Sequence, residues 1–111
     1  MNLVDKAFNA IAEGKKTIEM RLYDEKRATI KVGDTIEFEN ADTHQTLKCE
    51  VIGLTRYKDF FQLYADRDKT EIGYSADETA SAEDMYAYYS PEKIEKYGVL
   101  AIEIKRMRNE I

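Results

Sequence analysis

A short run near the start of the chain combines residue types that can hold a polar ligand. Within eight residues, at a predicted corner between a helix and a strand, the sequence places Gly14, Lys16, Glu19 and Arg21. Because side chains alternate along a strand, Glu19 and Arg21 should share one side of it, ~6.5–7 Å apart. Lys16 lies in the turn and can reach over both. Two cationic donors beside one carboxylate suit a polar, partly anionic ligand, such as a nucleobase edge with a nearby phosphate.

The same spacing also fits a purely structural arrangement. In this alternative, Glu19 and Arg21 form a solvent-side salt bridge and Lys16 is a free surface charge. Other chemical motifs are missing from the sequence, since the five glycines are not clustered into a phosphate loop. One histidine, His44, and one cysteine, Cys49, cannot build a structural zinc site, and the spacing of Cys49 predicts a buried, inert thiol. We therefore expect no metal and no cofactor.

A helix and a strand must position the charged run. Apolar residues recur at helical spacing from Val4 to Ile11, and we expect Asn2 to cap this helix and Gly14 to end it. The strict alternation from Thr17 to Leu22 then predicts a strand with an apolar face and a charged face. The charged run therefore lies where the helix turns into the strand.

The rest of the chain predicts a mostly antiparallel sheet with short helices. Strands at Thr35–Glu39 and Thr46–Tyr57 should form a hairpin with a bulge at Gly53, and Val99–Ile104 should be a central strand. Short helices are expected at Lys58–Ala65, after the capping box Ser75–Glu78, around Met85–Tyr89, and from the Ser90-Pro91 cap to Gly98. These elements indicate an α+β fold with a strongly curved sheet.

Length and composition limit the class of protein. The chain has 111 residues, which suits one domain over residues 1–111. With 43% hydrophobic residues the chain is too apolar to be disordered, and with 35% charged residues it is too charged to be a membrane span. Since no stretch approaches the ~18 apolar residues of a spanning helix, no membrane contact is expected. The lone cysteine rules out an internal disulfide and favours the cytoplasm.

Charge is unevenly distributed along the chain. The net charge of −5 argues against bulk attraction to nucleic acid. Residues 15–31 nevertheless hold six basic and three acidic residues, whereas residues 66–95 hold nine acidic and three basic ones. This pattern allows one local anion site on an acidic body, and it also fits a surface of solvated charge runs.

Three segments resemble the ASCH domain family, whose members are relatives of the PUA RNA-binding domains. Gly14–Arg21 matches the GxKxxExR pattern of that family, Ile30–Phe38 matches its turn and strand, and Tyr88–Ile104 matches its closing helix and strand. The resemblance covers about Ala7 to Ile104. It implies a small, mostly antiparallel PUA-like β-barrel with flanking helices, a cleft beside the motif, and binding of RNA or a nucleotide-like ligand.

The resemblance also brings an enzymatic alternative. Some small bacterial family members are amidohydrolases of acetylcytidine, in which the motif lysine is catalytic and a threonine nucleophile stands where this sequence has Glu19. Thr17 lies two residues earlier, and a carboxylate beside Lys16 and Arg21 should stay ionised and accept an acyl group poorly. Other members are associated with RNA cleavage, for which Lys16 would stabilise charge and Glu19 would act as base.

Tyrosines are concentrated in the last third of the chain, where the family's closing helix faces the cleft. Of Tyr86, Tyr88, Tyr89 and Tyr97, we expect Tyr88 or Tyr89 to reach the cleft as a stacking platform or hydroxyl donor. Packing between helix and barrel is the alternative for each tyrosine. The candidate ligand-binding residues are Lys16, Thr17, Glu19, Arg21, Tyr88 and Tyr89.

Three functional hypotheses follow from these residues. The first is a binding module that holds a nucleoside or an RNA segment. The second is a small hydrolase that uses Lys16 and Glu19 as catalytic residues on a modified nucleoside or an RNA phosphodiester. The third is a domain that meets a protein partner through the acidic helical side from Asp77 to Glu92.

Overall fold

Residues 1–107, which the computed structural model describes, form five strands and three α-helices. The strands are β1 (Asn2–Leu3), β2 (Ile18–Leu22), β3 (Thr35–Asn40), β4 (Thr46–Tyr57) and β5 (Val99–Arg106). The helices are α1 (Asp5–Ala12), α2 (Phe60–Asp66) and α3 (Pro91–Tyr97), with 3₁₀ helices at Arg27–Thr29 and Ala82–Ala87. The last four positions of the predicted domain 1–111 lie outside the described residues. No helix within residues 1–107 has the length and apolar character needed to cross a membrane.

The strands form one mixed sheet that curls into a half-barrel. Their order is β1-β3-β4-β5-β2, with β1 parallel to β3 and the other pairs antiparallel. Across the open side, Arg21 Nη2 of edge strand β2 donates a 3.1 Å hydrogen bond to the carbonyl of Asn2 in edge strand β1. The predictions of an α+β fold, of the β3–β4 hairpin and of β5 as an internal strand are confirmed.

The predicted bulge in β4 is confirmed. The register between β4 and β5 shifts between Val51 and Gly53. A Cβ atom at Gly53 would lie only 2.0 Å from Glu103 Oε2 on the neighbouring strand. Glycine at the bulge therefore leaves room for the charged side chain of β5 that passes directly over it.

Each face of the sheet carries its own apolar cluster. The cluster under α1 contains Leu3, Phe8, Ile11, Ile36, Phe38, Leu47, Cys49, Val51, Leu100, Ile102 and Ile104. The cluster under α2 and α3 contains Ile18, Met20, Leu22, Phe60, Leu63, Ile72, Ala82, Met85, Ile94, Val99 and Ala101. The apolar face of β2 belongs to the second cluster, so its charged face turns toward the side of the sheet that α1 covers.

The ends of α1 confirm one expectation and correct another. Gly14 follows the helix with a φ of +77°, the left-handed conformation expected for a residue that ends a helix. The cap at Asn2 is wrong, because the N-cap residue is Val4 and makes no side-chain capping hydrogen bond. Asn2 instead lies in β1, opposite Glu39 of β3.

The helix predicted after Ser75 does not form, although one of the two hydrogen bonds of a capping box does. Glu78 Oε1 accepts from both the backbone nitrogen and the hydroxyl of Ser75, each at 2.8 Å. Lys69 Nζ binds the carbonyls of Ala76 (2.9 Å) and Glu78 (2.6 Å), which a following helix would use. The acidic side predicted to be helical is therefore a turn, a 3₁₀ helix and the start of α3.

The closing helix follows the prediction closely. Ser90 Oγ accepts a 3.3 Å hydrogen bond from the backbone nitrogen of Lys93, and Pro91 is the first helical residue of α3. Gly98 ends the helix with a φ of +69°. This sharp stop turns the chain directly into the central strand β5.

Candidate ligand-binding site

Lys16, Glu19 and Arg21 form one ion group, which we call the β2 triad. Lys16 Nζ lies 3.0 Å from Glu19 Oε1, and Arg21 Nη2 lies 3.1 Å from Glu19 Oε2. The backbone nitrogen of Met20 also donates to Glu19 Oε1, at 2.9 Å. Both carboxylate oxygens of Glu19 are therefore occupied, and the carboxylate holds both cations in fixed positions.

Two members of the β2 triad are buried and the third, Arg21, is partly buried, which corrects the solvent-side alternative. Glu19 is 4% exposed and Lys16 is 8% exposed. Alternation along β2 gave the shared face of Glu19 and Arg21, but solvent does not lie on that face. Residues of α1 and of the segment around Tyr74 lie beside this face and separate it from the surrounding solvent.

The charges of the β2 triad fix the ionisation of its carboxyl group. Burial alone would raise the pKa of Glu19, but the Lys16 ammonium and the Arg21 guanidinium outweigh burial and hold that pKa below its ordinary value. The triad then carries two positive charges and one negative charge. Since a buried uncompensated charge is costly, the surplus positive charge favours a bound anion or hydrogen-bond acceptor.

The β2 triad also has unused hydrogen-bond donors. Among the described residues, Lys16 Nζ donates only to Glu19, and Arg21 donates only through Nη2. The side chain of Lys16 passes close to Gly73. A Cβ atom added to Gly73 would lie 3.2 Å from Lys16 Cδ. The remaining N–H groups of Lys16, with Nε and Nη1 of Arg21, are therefore available to a ligand.

The triad opens into a cavity of about 560 Å³. This volume lies in the range of small-molecule binding sites, ~300–1,000 Å³. Its walls come from β1 and α1 on one side and from residues 72–89 on the other. The lining residues beyond the triad include Leu3, Val4, Lys6, Ala7, Tyr64, Ile72, Gly73, Tyr74, Glu78, Asp84, Met85, Tyr88 and Tyr89.

Two of the expected tyrosines reach this cavity. Tyr88 is 64% exposed, and the half-buried Tyr89 stacks on Phe60 with ring centroids 6.0 Å apart. Burial raises the pKa of Tyr89, so its hydroxyl stays protonated. Tyr86 lines a separate groove beside α2 and α3, and Tyr97 packs against the apolar cluster there.

Thr17 lies elsewhere. It is exposed and does not line the cavity, and its backbone nitrogen donates a 2.9 Å hydrogen bond to the carbonyl of Glu71. The structure therefore brings together five of the six candidate binding residues. The sixth helps to fix the start of β2 through its backbone.

The sequence analysis missed a second polar group in the cavity, formed by Tyr64, Tyr74 and Asp84. The two tyrosine hydroxyls lie 2.9 Å apart, and the hydroxyl of Tyr74 donates to Asp84 Oδ2 at 2.8 Å. Burial, with the hydrogen bond that Tyr74 donates to Asp84, raises the pKa of Tyr74. These residues come from α2, a turn and a 3₁₀ helix, so no local spacing in the sequence connects them.

An ion pair crosses the wall between α1 and the turn at Ser75. Lys6 Nζ lies 2.8 Å from Glu78 Oε2, and both side chains are solvent-accessible. The hydrogen bond from Lys6 is the largest cause that lowers the pKa of Glu78, to about 2. Within residues 1–107, no group of three or more histidine, cysteine, aspartate or glutamate side chains is arranged to hold a metal ion.

Two solved structures share this fold. The crystal structure of hypothetical protein PH0355 is 36% identical to this chain, covers 96% of each chain and has a TM-score of 0.81. The solution NMR structure of protein PF0455 from Pyrococcus furiosus is 32% identical, with a TM-score of 0.71, and covers 98% of this chain and 100% of that one. No curated protein matches the chain.

A family model gives the same result for nearly the full length of the sequence. The model described as ASCH domain matches residues 1–108. This range includes the helix-to-strand corner that holds the β2 triad, the hairpin and the closing strand. The chain belongs to the ASCH domain family.

Proposed function

We propose that the cavity binds a nucleoside unit, either free or as an unstacked part of an RNA segment. The observation that carries the proposal is the β2 triad, a nearly buried group with surplus positive charge at the wall of an open cavity of about 560 Å³. Membership of the ASCH family, which suggests RNA binding, supports the same ligand class.

The triad supplies the polar contacts in this proposal. The unused N–H groups of Lys16 and Arg21 donate to acceptor atoms of a base or to a phosphate oxygen. Glu19 positions both cations, and three hydrogen bonds already use most of the acceptor capacity of its two oxygens. A ligand acceptor at this point also offsets the surplus charge.

The tyrosines supply the apolar contacts. Tyr88 offers an exposed ring on which a base can stack, and such stacking contributes ~1–3 kcal/mol per base. Tyr89 is fixed by its contact with Phe60 and gives a rigid neighbouring wall. This pairing of a cationic group with aromatic rings is typical of sites that hold single bases.

The contacts favour binding over hydrolysis by Lys16 and Glu19. A general base needs an accessible oxygen and a pKa near the working pH, whereas Glu19 is nearly buried, accepts three hydrogen bonds and has a lowered pKa. Lys16 Nζ is already paired with that carboxylate, and Thr17 lies outside the cavity lining. Binding is accordingly the first function, and the hydrolase stays the alternative.

Isothermal titration calorimetry with the four common ribonucleosides tests the proposal. We expect Lys16→Met to weaken binding at least tenfold, since it removes the surplus charge and a donor while keeping the apolar stem. The matched control is Lys15→Met, which makes the same exchange one residue away on a side chain that is 76% exposed and paired with Glu13. Absence of binding by every nucleoside and RNA, or equal binding by both variants, contradicts the proposal.

Salt dependence separates a free nucleoside from an RNA segment. A six-nucleotide RNA should lose affinity with rising salt, with a slope near ~0.7 per phosphate contacted, whereas a free nucleoside should show little dependence. Mass spectrometry of the same mixtures detects any product, and turnover would support the alternative function as a hydrolase. The cytoplasm is the proposed compartment, because Cys49 is a buried free thiol and fits a reducing environment.

A further inference from the structure

The side chains of the β2 triad offer mainly hydrogen-bond donors to a ligand. Lysine and arginine have no acceptor atoms, and the carboxylate of Glu19 is already used by Lys16, Arg21 and the backbone of Met20. An edge of a ligand that faces the triad must therefore present acceptor atoms, such as a carbonyl oxygen or an unprotonated ring nitrogen.

The side chains of Tyr64, Tyr74 and Asp84 offer the opposite. The hydroxyl of Tyr74 has one proton, which goes to Asp84 Oδ2 at 2.8 Å, with the carbonyl of Ser81 at 3.3 Å as the competing acceptor. The 2.9 Å contact between the tyrosines is then a hydrogen bond donated by Tyr64. Both hydroxyl protons are used inside this group.

Asp84 is the carboxylate of this group, and one of its two oxygens is free to accept a hydrogen bond. Its Oδ1 accepts no hydrogen bond from residues 1–107, and the residue lines the same cavity as the triad. The side chain of Asp84 is exposed, so a ligand can contact it without a change in the protein structure. The cavity therefore has a donor side and an acceptor side, and a ligand that bridges them needs acceptors at one end and a donor at the other. On a nucleobase, that donor is an N–H group.

We propose that Asp84 is a specificity-determining residue that accepts a hydrogen bond from an exocyclic amino group, so that the cavity selects amino-bearing nucleosides over their oxo counterparts. This inference rests on the proposed function of the cavity. In the oxo counterpart, a carbonyl oxygen would face the carboxylate, acceptor against acceptor. A site built to receive an N–H group discriminates against a ligand that lacks it, because its own polar group is then left unpaired.

Two ligand pairs test the inference by calorimetry, adenosine against inosine and cytidine against uridine. Each pair exchanges an amino group for an oxo group on the same ring system. Because Asp84 is exposed, we expect the wild-type protein to favour the amino member by about tenfold rather than by the larger factors of a dry site. A preference for the amino member of less than twofold in both pairs overturns the inference.

Asp84→Asn is the decisive variant, since an amide of the same shape offers a donor as well as an acceptor. We expect the preference to fall below twofold, with tighter binding of inosine and uridine than in the wild type, a gain that misfolding cannot produce. The control is Glu83→Gln, which removes the same charge from the neighbouring residue outside the cavity lining and should keep the preference. An unchanged preference in Asp84→Asn overturns the inference.

The outcomes also separate this inference from the function on which it rests. If nucleosides bind and Lys16→Met weakens them, but amino and oxo members bind alike, the proposed function stands and the role of Asp84 is wrong. If no nucleoside binds, the proposed function fails and the role of Asp84 fails with it.

Discussion

Two arginine–glutamate groups lie on opposite faces of the sheet and differ in their hydrogen bonding. On β2, Glu19 lies opposite Ile102 and belongs to the β2 triad. On β5, the next residue, Glu103, faces the other side, where Arg67 Nη1 binds its Oε1 at 2.6 Å. The same residue types, one position apart in register, therefore build two ion groups on the two sides of adjacent strands.

The groups differ in how fully their arginines are used. All three nitrogens of Arg67 donate, with Nε to Tyr57 and Nη2 to Thr55 completing the set, each at 2.9 Å. Arg21 donates through Nη2 alone among the described residues, and it faces a cavity. Unused donors, rather than the presence of an ion pair, distinguish a candidate site from a contact that only ties α2 to the sheet.

The largest effect is expected for Glu19→Gln. Removing the carboxylate leaves Lys16 and Arg21 as two neighbouring cations that are nearly buried. Breaking a buried ion group in this way costs about 3–5 kcal/mol. Urea denaturation at pH 7 should show a loss of that size in the free energy of unfolding, and a loss below about 1 kcal/mol would mean that solvent already neutralises the group.

The pH dependence of the same variant has a defined sign. The pKa of Glu19 in the folded protein lies below its ordinary value of 4.5, so its contribution to stability is present above that value. The contribution is lost as the pH falls through the lowered, folded-state pKa. The stability gap between the wild type and Glu19→Gln should therefore narrow on acidification below about pH 4.5, and a gap that widens there would contradict the ionised assignment.

The next effect is expected for Arg67→Ala, on the other face. The variant leaves Glu103 without its partner and removes the hydrogen bonds to Tyr57 and Thr55. We expect a loss of about 2 kcal/mol in the free energy of unfolding, because the side chains are partly solvated. Nucleoside affinity measured by calorimetry should stay within twofold of the wild type, and a larger change would link the two faces.

Local patterns predicted one of these groups and not the other. The alternation from Thr17 to Leu22 set the shared face of Glu19 and Arg21, because strand geometry depends only on neighbouring residues. Whether that face meets water or a cavity depends on α1 and on residues 72–89, which approach from distant parts of the chain. The sequence therefore predicted the direction of these side chains but not their burial.

The acceptor side of the cavity had no local signal at all. Tyr64 and Asp84 lie twenty residues apart, and Tyr74 joins them from a turn. The segment between Gly73 and Ser81 carries a capping box and was expected to lead into a helix, yet Lys69 binds its carbonyls instead. These contacts come from a side chain outside the segment, and the periodicity of the segment itself carries no signal of them.

A smaller effect is expected for Gly53→Ala, which tests how tightly the Arg67 group is built. The added Cβ would meet Glu103 Oε2 at 2.0 Å and push that carboxylate away from Arg67. Since the carboxylate is the far end of a flexible side chain, we expect a loss of only about 1 kcal/mol. In a double-mutant cycle, Arg67→Ala should reduce this loss, and strict additivity would show that the two residues do not act through Glu103.

The smallest effect on stability is expected for Lys16→Met. The variant leaves Glu19 and Arg21 as a balanced pair, keeps an apolar stem against Gly73, and removes the surplus charge. Replacing a buried charge that lacks full compensation by an apolar group of similar volume is often neutral or stabilising, so the free energy of unfolding should change by less than about 1 kcal/mol. Urea denaturation of Lys16→Met and Glu19→Gln under the same conditions compares the two losses in the free energy of unfolding. A loss as large as that of Glu19→Gln would make Lys16 a structural contact like Arg67, and the distinction between the two faces of the sheet would then fail.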